Sequence, residues 1–190
     1  ATDQVKDSPT NNFCTLNPLA KTTTDPTMSE GNLKVVTASS GGCARLGTIV
    51  PSSGKWYAEF LVNSGSHCTF GVQDPDANIQ NSSSQLPIGS GSYSYYQDNG
   101  YLYTNGTTQA QTGGATYTTG DIIGIALNLD GNEAKWYKNN TLVYTQALTS
   151  GQDLTFAGSD FSNSTSSTFS ANFGADSSFA GNKTAQGNGG

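Results

Sequence analysis

One histidine, three cysteines and three glutamates are all that this 190-residue chain offers to the commonest catalytic devices. A Ser-His-Asp or Cys-His site would need His67 as its base. His67 stands in the segment NSGSHCT, which reads as a hairpin turn, and Cys68 beside it in a strand would point away. Both therefore read as structural. Glycoside hydrolysis needs two carboxylates roughly 5–9.5 Å apart, which a strand supplies at i and i+2 or i+4. Glu30, Glu59 and Glu133 form no such cluster. Glu59 is alone on its run and reads as a buried or rim carboxylate bonded to backbone or tyrosine. No catalytic residue is assigned, and the chain is not read as an enzyme.

Metal chemistry is offered at one place. Asp74, Asp76 and Asn78 have the 1, 3, 5 spacing of a calcium loop, but Ile79 and Gln85 stand where an EF-hand needs Gly and Glu. The segment reads as a proline-stiffened acidic turn, with a looser calcium loop as the alternative. Cys14, Cys43 and Cys68 fit no zinc spacing, and one histidine completes no ligand set. They read as free thiols that partly fill the core, with one disulfide, of unassigned pairing, left open. No metal or cofactor is expected.

The strongest binding signal is the stretch SYSYYQDNGYLYTNG, which carries Tyr93, Tyr95, Tyr96, Tyr101 and Tyr103 beside Gln97 and Asp98. Tyrosine couples a flat apolar face to a hydroxyl, which suits both sugar stacking and protein hot spots. Alternation along a strand puts Tyr93 and Tyr95 on one face and Tyr96 on the other. At least one of the five rings is expected at the surface. The polar loops 74–92 and 159–167 complete the candidate ligand-binding region, since binding concentrates on loops carried by a rigid scaffold. The candidates are Tyr93, Tyr95, Tyr96, Asp98, Tyr101, Tyr103, Asp74, Asp76 and Asn78.

Something must position these residues, and composition bounds what it is. Leu, Ile, Val and Phe make up only 33 of 190 residues, but nine Tyr and two Trp add apolar area and the net charge of −6 is modest. A folded core is affordable. Eight Lys plus Arg, dispersed, speak against a nucleic-acid partner. No apolar run approaches the roughly 18 residues of a membrane span, and the opening ATDQVKDSPTNN has no apolar signal core.

The first 30 residues are polar and interrupted by Pro9, Pro18 and Pro26; they read as an extended arm anchored by Phe13, Leu16 and Leu19. Short strand-like runs follow at 33–37, 46–50, 56–63, 68–73, 93–97, 101–103, 122–130, 133–138, 141–145, 154–157 and 168–173. In KWYAEFLV, Trp56, Ala58, Phe60 and Val62 share one face, against Tyr57, Glu59 and Leu61. In DIIGIALNLD, Ile123, Ile125, Leu127 and Leu129 share a face opposite Ile122, Gly124, Ala126 and Asn128. Asn99-Gly100, Asn105-Gly106, Asp130-Gly131 and Asn139-Asn140 read as hairpin turns. The pattern predicts an all-β, two-sheet antiparallel sandwich over 31–180, with residues 181–190 a mobile tail or a junction.

The succession GKWYAEF at 54–60, FGV at 70–72, GDIIGIALNLD at 120–130, KWYKNNTLV at 135–143 and ANFG at 171–174, then Phe179, resembles the SPRY domain. Asn128 stands where an Asp is common and Asn140 where the hairpin usually has Gly; Asn also tolerates positive φ. The resemblance implies a concanavalin-like sandwich, no cofactor, and recognition of proteins or peptides through loops at one end. The Asn/Ser/Thr-rich character and the opening TNNFCTLNPL are similar to SPRY-type domains of bacteriophage structural proteins. That likeness implies a virion-surface or extracellular setting, with a host surface glycan or protein and other virion subunits as partners. The alternatives are a protein–protein adaptor domain and a purely structural decoration domain.

Overall fold

The structure is a computed structural model that describes residues 12–20, 24–39, 43–76, 91–105, 108–162, 165–176, 178–179, 181 and 183. The described residues form thirteen strands and no helix. They are β1 Thr27–Ser29, β2 Lys34–Val36, β3 Cys43–Leu46, β4 Lys55–Ser64, β5 Cys68–Gln73, β6 Tyr93–Tyr96 and β7 Leu102–Thr104. After these come β8 Thr108–Gln111, β9 Ile122–Asn128, β10 Glu133–Lys138, β11 Thr141–Ala147, β12 Thr155–Asp160 and β13 Thr168–Asn172. A seven-stranded sheet runs β1-β2-β13-β4-β9-β10-β11 and a six-stranded sheet runs β3-β12-β5-β6-β7-β8, with every pairing antiparallel. This is the predicted sandwich.

Alternation places the core where the sequence put it. Ala58, Phe60 and Val62 of β4 and Ile123, Ile125 and Leu127 of β9 face the second sheet. They meet Phe70 and Val72 of β5 and Tyr93 and Tyr95 of β6. Phe60 stacks on Phe70 at 4.8 Å between ring centroids, and Phe169 meets Phe70 edge-on at 5.3 Å. Gly158 makes room for this wedge, because a Cβ there would sit 2.7 Å from the Phe169 ring. Trp136 of β10 is fully buried, and its indole N–H crosses the sandwich to donate to the Phe70 carbonyl at 3.1 Å. On the opposite face of the seven-stranded sheet, Leu61 and Ile122 pack with Phe179.

Several expectations change in detail. Trp56 sits on the expected face but at its end, 43 % exposed, with its indole bonded to the Ser53 carbonyl. Strand β3 ends at Leu46, where a strand was expected to begin, and β1 lies inside the span read as an arm. Leu16 is a core residue; Asn17 and Thr48 close backbone bonds with Leu46 and Thr15, so this segment covers the β3 edge. Phe13 is half-buried, but Leu19 is 79 % exposed and anchors nothing. The Asn139-Asn140 turn has positive φ at both residues, 45° and 69°, as a type I′ turn requires. At Asn99-Gly100 only Gly100 has positive φ, and the turn is longer, closed by the Tyr96 N–H on the Tyr101 carbonyl. In the Asp130-Gly131 turn the positive φ falls on Asn132. Residues 1–11, Gly106 and the tail beyond 183 lie outside the described residues.

All three cysteines are free and buried. Cys43 and Cys68 flank Asp160 from opposite sides, in register with it across β12. They therefore stand two strands apart, about 10 Å, beyond the reach of a disulfide. Desolvation pushes the Cys43 thiol up to about 11, with the nearby Asp160 charge adding to it, and pushes Cys68 up further. A thiol reagent at pH 8 should label essentially none of the native protein within minutes and three equivalents in guanidinium without reductant; fewer than three would mean a disulfide. Replacing Trp136 by Phe should cost about 2–4 kcal/mol in denaturant unfolding, since it removes buried volume and leaves the Phe70 carbonyl without its indole donor. A cost within about 0.5 kcal/mol would show that the indole bond does not matter.

Candidate functional site

The catalytic candidates stay apart. Cys68 is buried in the core, and the His67 ring bonds through Nδ1 to the neighbouring Ser66 hydroxyl at 2.9 Å. Glu59 is 1 % exposed on the outer face of the seven-stranded sheet. Its carboxylate accepts from the Tyr57 hydroxyl at 3.1 Å and the Asn172 amide at 3.2 Å. Tyr57 lies across Gly124, where a Cβ would be 2.2 Å from its hydroxyl oxygen. Asn172 in turn accepts from the Gly174 N–H.

A second knot lies at one end of the sheet. Asp121 accepts from the Thr118 N–H and the Asn139 amide and pairs with Lys138 at 3.3 Å, while Asn139 accepts from the Ile122 N–H. Burial works against the Asp121 charge, but the Asn139 and Thr118 bonds and the Lys138 ammonium outweigh it and hold the carboxyl below its ordinary value. These residues are therefore occupied in holding strands and turns together.

The tyrosine-rich hairpin divides between core and surface. Tyr93 and Tyr95 point inward, 6 % and 0 % exposed. The Tyr93 hydroxyl donates to Gln152 at 3.0 Å and accepts from the Thr149 N–H, and the Tyr95 hydroxyl donates to the Ala115 carbonyl. As packing and anchoring residues they offer no surface to a ligand, because the inward side of β6 is the core side. Tyr96 points outward yet is only 4 % exposed, because other rings enclose it. Phe161 lies 4.8 Å away, Tyr103 6.3 Å and His67 6.4 Å, while Tyr101 continues the row 6.5 Å beyond Tyr103. His67, Tyr101, Tyr103 and Phe161 are all partly exposed.

The turn that carries this row is held firmly. Gln97 accepts from the Cys68 N–H and donates to the Gly65 carbonyl, and the Phe161 N–H donates to the His67 carbonyl. Asn99 fixes the Tyr103 hydroxyl at 2.7 Å and accepts from the Tyr101 N–H. Asp98 is exposed at the crest, with no ion pair among the described residues. Desolvation, and then the Asp98 and Asp160 charges, raise the Tyr96 phenol well above its ordinary value.

Asp74 and Asp76 belong to the opposite end, beyond Gln73, where β5 terminates. Asp74 accepts from the Asp76 N–H at 2.8 Å in a tight turn. Asn78 and residues 77–90 lie outside the described residues, and among those described no group of three acidic, His or Cys ligands gathers. The structure thus brings together Tyr96, Asp98, Tyr101 and Tyr103, and separates them from Asp74 and Asp76. His67 and Phe161 complete the row and were not among the sequence candidates. They are 94 positions apart, and only the β5–β12 pairing joins them.

A family model described as the SPRY domain matches residues 55–180. Among solved structures, the SPRY domain of human HERC1 superposes with a TM-score of 0.69 at 17 % identity, covering 85 % of this chain and 99 % of that one. A human SPRY domain gives 0.63 at 15 % identity, with 80 % and 96 % covered. The TRIM65 PSpry domain gives 0.64 at 16 %, with 85 % and 90 % covered. Among curated proteins, none matches this sequence.

If Glu59 is a structural clamp, Glu59→Ala should lower stability by about 2–4 kcal/mol, since it strands the Tyr57 hydroxyl and the Asn172 amide in a buried place. Glu59→Gln, which keeps one acceptor, should cost less. Equal and negligible costs in urea titrations would remove the clamp.

Proposed function

The chain belongs to the SPRY domain family, whose members generally act as protein–protein interaction modules, and from that premise we propose that it is a non-catalytic binding module. Its working surface is the row Phe161, Tyr96, Tyr103 and Tyr101 with His67 and Asp98. One observation carries this reading. A fold that buries Tyr93, Tyr95, Tyr117 and Tyr144 leaves Tyr101 and Tyr103 partly exposed beside a turn fixed by its own hydrogen bonds, with Phe161 partly exposed across the Tyr96 ring. Partly exposed rings held in place lose little conformational entropy on binding, and for that reason aromatic side chains dominate interface hot spots.

In its finer form, the proposal places the module on the surface of a bacteriophage virion, outside the host cell. There it would recognise a host surface glycan or protein while joined to other virion subunits. The Asn/Ser/Thr-rich character of the chain supports that setting. An adaptor role in protein–protein assembly is the second reading, favoured by what the family generally does; the same surface would serve it. The purely structural decoration role requires no ligand at this end.

Arrays of bacterial surface polysaccharides and of peptides should distinguish these readings. A specific ligand should bind the native domain and lose tenfold or more of its affinity on Tyr101→Ala or Tyr103→Ala, the scale expected of a tyrosine hot spot. Binding indifferent to both substitutions would place the working surface elsewhere. No ligand on either array would favour the decoration role.

A further inference from the structure

Resting on the reading above, we propose that the aromatic row is a seat for a cationic side chain, an arginine or lysine presented by a polypeptide partner. The faces of tyrosine and phenylalanine rings carry negative potential and attract an ammonium or guanidinium group within about 6 Å of the ring centre. Tyr101 and Tyr103 offer two such faces, inclined by 39° to one another and both partly exposed. The Tyr103 hydroxyl accepts from the Asn99 amide, which holds the ring in its orientation.

The charges around the row all have one sign. Asp98 stands exposed at its crest, near enough to act on the Tyr96 phenol, and Asp160 lies buried behind the same ring and acts on it too. Apart from His67 in the row itself, no basic side chain among the described residues of these strands and the turns at this end offsets them. Arg45 is the only cation on the strands of the six-stranded sheet; it is buried on the edge strand β3 and paired with Asp25 at 3.0 Å. Lys138 is committed to Asp121. A carboxylate with no ion pair among the described residues, on the turn that precedes two partly exposed tyrosines, suits a cationic partner. The net charge of −6 would further favour the approach of a basic partner.

The inclination of the rings favours a side chain over a sugar. Tyr96 meets Phe161 at 65° and Tyr103 at 69°, and Tyr101 is inclined by 39° to Tyr103, so the rings share no common plane. A pyranose stacks best on a flat, open face. A narrow alkyl stem with a charged head needs no flat face and can pack against inclined rings while its charge stays near the Asp98 turn.

Short Gly-Ser peptides carrying one arginine, and the same peptides with neutral citrulline, should be titrated against the full chain while amide chemical shifts are followed. The arginine peptide should shift Asp98, Tyr101 and Tyr103 saturably. Citrulline should bind at least fivefold more weakly, Asp98→Asn should weaken the arginine peptide about fivefold, and high salt should weaken it as well. Equal binding of arginine and citrulline, or no shift at this turn with arginine, would overturn the cation seat. A neutral peptide or an oligosaccharide that shifted the same residues would overturn it too, yet leave the binding reading standing. Ligand binding indifferent to Tyr101→Ala and Tyr103→Ala would remove both.

Discussion

Two sheets of a sandwich are free to slide until something crosses between them, and Trp136 makes such a crossing within the core. Most polar bonds in such a fold run within a sheet, but the Trp136 indole donates from the seven-stranded sheet to the Phe70 carbonyl of the six-stranded one. Around that bond Phe60, Phe70 and Phe169 form a wedge of stacked and edge-on rings, which fits only because position 158 has no side chain. The bond and the wedge together select one offset between the sheets. Within the six-stranded sheet, β12 pairs with β5 and β5 with β6, so the residue after Asp160 and the turn after Gln97 meet at one end and form the aromatic row.

The motifs that identify the family are spent on this scaffold. Tyr57, Glu59, Gly124 and Asn172 belong to three separate sequence motifs and close one knot on the outer face. Asp121, Lys138 and Asn139 come from two motifs and close another. Each contains a carboxylate whose removal would leave buried or half-buried donors unpaired, which costs more than the bond itself is worth. Residues under such constraint are unavailable for recognition. Turns that bear no such knot can change without unfolding the domain, and specificity can reside there.

Much of this was legible in the sequence, and the reasons for the exceptions are physical. Strands β4, β5, β9 and β10 declare themselves because alternation is sustained over six or more residues between Gly, Asn and Asp turns. Strands β1 and β8 are TMS and TQAQ, too short and too polar to alternate visibly, and they exist because a neighbouring strand offers them a ladder. In YSYY, alternation correctly parts Tyr96 from Tyr93 and Tyr95, but it cannot say which side is the core when both sides carry tyrosine. Tyr96 also shows that facing outward is not the same as being exposed. His67 and Phe161 carry no local signal, since their proximity is a product of strand pairing over 94 positions.

The fold supplies the row with rigidity as well as with rings. A binding surface built on a bare hairpin would have to order several tyrosines when a partner arrives, at about 0.5–1.5 kcal/mol for each immobilised side chain. Here much of that ordering has been completed by folding. Gln97 ties the turn to both β5 and Gly65, Asn99 holds the Tyr103 hydroxyl, and Tyr117 braces the strands beneath by donating to the Cys68 and Tyr95 carbonyls. Asp98 stands exposed at the crest of this turn. On the proposed reading, a partner at this turn would meet rings whose ordering has already been completed by the fold.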